Sequence, residues 1–119
     1  MTNSEKTAKA QESAQQWLDL IDRSQYVASW STAASYFQNN ITATEWEKML
    51  QGVREPLGEN ISRELEAKEY KTSVPGSPDG EYVVIQYQTS FSNKKSAVET
   101  VTSMLDRDGI WKVAGYFIQ

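Results

Sequence analysis

The sequence predicts an α+β fold: three N-terminal helices packed on one face of a curved four-stranded antiparallel sheet. Three observations predict it. Apolar residues recur every three or four positions as far as Val53 and every second position after Gly58. Pro56 and Gly58 stand at the changeover, and turn-forming runs divide the remainder into strands. At 119 residues the chain has the length of one domain, 1–119, in which residues 1–7 are expected to be a frayed N-terminal segment.

The first helix is expected over about Glu5 to Ile21, with Ala10, Ala14, Trp17, Leu18 and Ile21 along one side. Arg23-Ser24-Gln25 interrupts it, with Ser24 suited to cap the next helix. Tyr26, Val27, Trp30, Ala33, Ala34 and Phe37 then form one continuous amphipathic stripe, which Asn39-Asn40 ends. Thr42 with Glu45, and Thr44 with Glu47, both have the spacing at which a capping hydroxyl and a reciprocating carboxylate start a helix. Trp46, Met49, Leu50 and Val53 give that third helix its buried side.

Beyond Gly58, Ile61, Leu65 and Ala67 alternate in one phase, and Tyr70, Thr72 and Val74 in the other. A bulge near Lys68-Glu69 would reconcile the two. Pro75-Gly76-Ser77-Pro78-Asp79-Gly80 is a turn, Val83 to Phe91 a strand, Asn93-Lys94 a tight connection, and Ser96–Leu105 the next strand. Asp108-Gly109 makes a hairpin into Ile110–Ile118. Pairing Ser92 with Lys95, and Arg107 with Ile110, puts Tyr87, Thr100, Thr102 and Trp111 beneath the helices. The same register puts Tyr82, Val84, Glu99, Val101, Tyr116 and Ile118 on the outer face, with Glu99 opposite Gln88.

Composition excludes several chemistries. With neither cysteine nor histidine, thiol catalysis, disulfides, cysteine- or histidine-ligated zinc and histidine-based serine triads are ruled out. No Asp-rich loop has calcium spacing, so neither a metal nor a cofactor is expected. The formal charge is −4 and the basic residues are scattered, which argues against nucleic acid as a partner. No apolar run is long enough to span a bilayer.

Several stretches resemble the family called domain of unknown function 4019. They are Trp17-Leu18-Asp19-Leu20-Ile21-Asp22, Tyr26, Ser29-Trp30, Phe37, Trp46, Val53-Arg54-Glu55-Pro56-Leu57-Gly58 with Ser62-Arg63, the turn from Pro75 to Tyr82, and Asp108-Gly109-Ile110-Trp111-Lys112-Val113-Ala114-Gly115-Tyr116. The resemblance covers nearly the whole chain from about Gln16. It implies an exported bacterial protein, periplasmic or secreted, whose signal peptide is not in this sequence. Composition alone fits the cytoplasm equally well. The order of elements also resembles the nuclear transport factor 2-like fold, where a cone between sheet and helices often holds a pocket.

That likeness implies a pocket lined by Trp30, Phe37, Tyr87, Thr100, Thr102 and Trp111, suited to a small apolar ligand; the alternative is that these rings pack a closed core. Arg54 and Arg63 bracket the Pro56–Gly58 corner, where two guanidinium groups would hold a carboxylate or phosphate, or else pair with Asp22, Glu55 or Glu59. Tyr82, Val84, Glu99, Val101, Tyr116 and Ile118 are candidates for a homodimer interface, which Val101→Lys or Tyr116→Lys would then disrupt. The leading expectation is a non-enzymatic interaction or ligand-binding domain. The alternative is a ketosteroid-isomerase-like enzyme using Asp19 or Asp22 with Tyr36 or Tyr87.

Overall fold

The computed structural model describes residues 1–119. Four α-helices occupy the first half: α1 Asn3–Asp22, α2 Tyr26–Ser31, α3 Ser35–Asn40 and α4 Ala43–Val53, followed by a short 3-10 turn, Glu55–Leu57. Helix α1 begins two residues ahead of its expected start because Thr2 and Glu5 cap it reciprocally. Thr42 and Glu45 do the same for α4, which decides between the two starts that the spacing allowed.

The expected single helix from Tyr26 to Phe37 is broken at Thr32-Ala33-Ala34, so there are four helices rather than three. No glycine or proline causes the break. The Ala34 amide donates to the Val113 carbonyl at 2.8 Å, and the Ser35 amide and hydroxyl both donate to the Asp106 carboxylate at 3.0 Å. A side chain 71 residues away thus caps α3, which sequence periodicity does not reveal. Ser24 caps nothing; it closes α1 in the left-handed region, with φ 61°.

The sheet is a four-stranded meander in the order β1-β2-β3-β4: β1 Asn60–Lys71, β2 Tyr82–Phe91, β3 Lys94–Leu105 and β4 Trp111–Ile118. In β1 the register shifts between Leu65 and Ala67, making Glu66 the extra residue in place of the Lys68-Glu69 bulge. The β2–β3 turn is Ser92-Asn93, because Phe91 pairs with Lys94. Asn93 is held by the Leu57 and Pro56 carbonyls, and the Ser92 hydroxyl accepts from the Glu59 amide. Gly58, at φ 80°, makes this possible: a Cβ there would lie 2.0 Å from Ser92 Oγ.

Moving the turn by one residue keeps the predicted parity. The register then shifts between Phe91 and Thr89, where Lys95-Ser96 supply one extra residue, and this bulge inverts β3 relative to the predicted register. Ile85 faces Val101 and Tyr87 faces Glu99, so Glu99, Val101 and Ser103 lie under the helices, whereas Thr100, Thr102 and Met104 point outward. In β4 the register shifts between Val113 and Gly115, with Ala114 the extra residue. Trp111, Val113 and Tyr116 consequently share the helix side despite their odd and even numbers.

The core is dense and aromatic. Indoles of Trp17 and Trp46 both donate to Ser29, to its carbonyl and hydroxyl respectively, and their rings lie 6.0 Å apart. Phe37 meets Trp46 edge-on at 4.9 Å, and Trp17 meets Tyr116 the same way at 5.3 Å. Ala10 and Ala14 let α1 approach the sheet closely enough for the Ser103 hydroxyl to reach the Ala10 carbonyl at 3.0 Å.

Burial pushes the Asp106 carboxyl up, but the amides of Ser35 and Arg107, the Ser35 hydroxyl and the Lys112 charge outweigh it and hold it at about 2, against 3.8 ordinarily. A folded state that is the stronger acid gains stability above the ordinary value and loses it as pH falls toward the folded one, here up to about 2 kcal/mol. Wild type should therefore exceed Asp106→Asn in urea-unfolding free energy at pH 6, and the gap should shrink between about pH 4 and pH 2. A gap independent of pH would refute the role given to Asp106.

Candidate functional site

The interior holds a chain of ionic groups that joins the helical layer to every strand. Asp22 ends α1, Arg54 follows α4, Arg63 lies on β1 and Glu99 on β3. Arg63 is central. Its Nε donates to Glu99 Oε1 at 2.6 Å and Nη2 to Oε2 at 3.2 Å, while Nη1 and Nη2 reach the two Asp22 oxygens at 2.8 and 3.1 Å. One guanidinium thus clamps two carboxylates with paired, charge-assisted bonds.

Arg54 donates to Asp22 Oδ1 at 3.3 Å and to the Gly58 carbonyl at 2.6 Å, with its guanidinium 4.5 Å from the centre of the Phe91 ring. Glu99, fully buried, also accepts from the Thr89 hydroxyl at 2.6 Å and from the Tyr116 hydroxyl. Its two oxygens take four bonds, which uses the lone-pair sites a carboxylate offers. Burial lowers the Arg63 guanidinium, but its bonds to Asp22 and Glu99 outweigh this and raise it above its ordinary value. Burial first, then the Glu99 charge, raises the Tyr116 hydroxyl. Burial also raises Tyr87, whose hydroxyl has no hydrogen-bond partner.

This arrangement bears on each residue singled out from the sequence. Arg54 and Arg63 come together through Asp22, one of the acids the sequence offered them. The six residues expected to line one pocket are not brought together. Thr100 and Thr102 face outward, whereas Tyr87 and Trp111 are buried in the core beneath the helices. Phe37 packs on Trp46, and the Trp30 indole donates to the Ile41 carbonyl. Of the outer-face set, Glu99 and Val101 are buried on the inner face and Tyr116 packs against the core there. Tyr82 is buried with its hydroxyl on the Pro78 carbonyl, and Ile118 lies opposite Glu99. Val84 stays on the outer face. Asp19 pairs on the surface with Arg23, and the Tyr36 hydroxyl binds the Gly76 carbonyl.

Thr89 was missed as a partner of Glu99 because an unbroken β2–β3 register put the two on opposite faces; Tyr116 shared the expected face of Glu99 but was read there as a dimer contact. A lone carboxylate among Ala97, Val98 and Val101 was the available signal, since a buried acid demands a cation.

Open surface lies elsewhere. On the outer face, a groove of about 390 Å³ runs between the Val74-Pro75 segment and Val84, Thr100, Thr102 and Phe117, with Glu69, Lys71 and Gln86 also in its lining. A corner cleft of about 190 Å³ exposes Asp22 beside Ser24, Tyr26, Glu55 and Glu59. Beside α4 and the end of β4 lies a third, about 200 Å³, whose lining is wholly apolar. No three acidic side chains converge as a metal site would require.

Removing the Arg63 guanidinium leaves Glu99 buried without its cation. Arg63→Met should cost about 3–5 kcal/mol, and Arg63→Met with Glu99→Leu should recover much of that. Tryptophan fluorescence during urea unfolding measures both. A single-variant cost below about 1 kcal/mol, the range of exposed pairs, would contradict the network.

Residues 13–116 match the sequence profile described as "Protein of unknown function (DUF4019)", and the chain belongs to that family. No curated protein matches it.

Proposed function

We propose that this member of the DUF4019 family is a non-enzymatic interaction domain of an exported bacterial protein, pairing with a second copy through the outer face of its sheet. The observation that carries this reading is the division of labour between the two faces. Inside, Arg63, Asp22 and Glu99 bond one another, and Glu99 has no lone pair left for a substrate proton. Outside, β2 and β3 present Val84, Val98, Thr100, Thr102 and Met104, with Phe117 beside them on β4.

The two central strands carry no charge on this face, and Glu64, Glu69 and Lys71 of β1 and Lys112 of β4 form a charged margin around it. Four strands at about 4.8 Å spacing, overlapping for about eight residues of 3.3 Å each, make a face of roughly 19 by 26 Å. With side-chain relief, that approaches the roughly 800 Å² per partner of a stable interface. A two-fold pairing is self-complementary, so one patch serves both copies. Helices followed by a curved antiparallel meander support a nuclear transport factor 2-like reading of the fold, although the inner side is packed around indoles. No helix of the chain is long and apolar enough to cross a membrane.

The groove beneath Val74 and Pro75 supports a second use of the same face: a small apolar ligand held by the hydroxyls of Thr100 and Thr102. Sedimentation equilibrium over a wide concentration range separates the two. The wild type should dimerise, and Val84→Lys or Thr102→Lys should give folded monomer. A wild type that stays monomeric at millimolar concentration would remove the dimer. Val101→Lys and Tyr116→Lys, which face the core, should instead unfold the chain.

A further inference from the structure

The far edge of the sheet carries an open stretch of backbone, which meets the outer face at Phe117. Val98 and Gln119 exchange both backbone hydrogen bonds, at 3.0 and 2.9 Å. The alternation of an antiparallel ladder then turns the Phe117 amide and carbonyl toward β3, and those of Tyr116 and Ile118 away from it. Nothing in the chain pairs with that outward row. Nearer the start of β4, the edge is closed by Ala34, which donates to the Val113 carbonyl.

Beside the open stretch lies the apolar groove between α4 and β4. All seven of its lining residues are hydrophobic, with Trp46 and Leu50 in its floor. Its rim is unusually exposed for such side chains: Met49 is 50% accessible, Val53 52% and Phe117 52%. Met49 and Val53 stand one helical turn apart on α4, and both line the groove. Unpaired strand amides next to an uncharged groove ask for two things together: an extended backbone, and apolar side chains at alternate positions.

The geometry points to an extended, uncharged, apolar peptide segment of a partner protein, which adds as a fifth strand to β4 and seats its side chains against α4. Charge and area both select this occupant. A charged segment would lose its hydration against seven apolar residues. A second copy is disfavoured because the free edge, from Ala114 onward, offers only about 13–20 Å of strand. Pairing two such edges falls well short of the roughly 800 Å² per partner that a stable dimer buries. A single strand of four or five residues fills the space.

The test uses the full chain and a ten-residue synthetic peptide alternating valine with threonine, together with the same peptide N-methylated at alternate residues. The unmethylated peptide should change Trp46 emission saturably and slow amide hydrogen exchange at Tyr116 and Ile118. N-methylation should weaken binding at least tenfold, since it removes the backbone donors while keeping the side chains. Met49→Lys and Val53→Lys, at exposed positions that the fold tolerates, should also abolish binding, whereas Thr102→Lys on the outer face should leave it intact. Equal binding of the methylated peptide, unchanged exchange at Tyr116 and Ile118, or absence of binding at millimolar peptide would each overturn the proposal. A dimer dispersed by Val53→Lys but not by Thr102→Lys would assign the edge to a second copy, and would overturn it as well.

Discussion

The Arg63 guanidinium, held between Asp22 and Glu99, is the contact on which the arrangement of this domain depends. With Arg54, Thr89 and Tyr116 it links the end of α1, the corner after α4 and all four strands. Two acids and two arginines make the group neutral overall, which limits the cost of carrying charge into the interior. Such a cluster is a modest source of net stability, because desolvation opposes the Coulombic gain. Its stronger effect is on uniqueness. A β1 shifted by one residue would turn Arg63 away and leave Glu99 buried without its cation.

Two local devices make the cluster possible. The Ser92-Asn93 turn is gripped by the Pro56–Glu59 corner, and that corner exists because Gly58 has no side chain to meet Ser92. The grip fixes where the turn falls, and the extra residue at Lys95-Ser96 just beyond it sets the parity of β3 and thereby sends Glu99 inward. The extra residue at Ala114 resets the parity of β4, so that Tyr116 reaches Glu99 while Trp111 and Val113 remain in the core. Losing the extra residue at Lys95-Ser96 or the one at Ala114 would take Glu99 or Tyr116 out of the cluster.

The same parity governs the surfaces. Sending Glu99, Val101 and Ser103 inward necessarily sends Val98, Thr100, Thr102 and Met104 outward, which leaves the outer face uncharged along its central strands. Breaking the second helix at Ala34 likewise closes the first part of the β4 edge and leaves its end open beside α4. The carboxylates of the interior are thereby satisfied within it, and the surfaces are those that this interior geometry defines.

Much of this was legible in the residues themselves. The change of period at Gly58, the capping pair Thr42 and Glu45, the Asp108-Gly109 hairpin and the stripe of Ala10, Ala14, Trp17, Leu18 and Ile21 each follow from interactions within a few positions, which local sequence determines. What only the tertiary structure decided are choices resting on distant partners. Asp106 breaks a helix 71 residues away, the Pro56–Glu59 corner selects the β2–β3 turn, and Arg63 chooses Asp22 and Glu99 among sixteen acids. The physical reason is the two-residue period of a strand: patterns of Val, Thr and Ser look alike in either phase, so one extra residue beside a turn is enough to choose which side of the sheet becomes the interior.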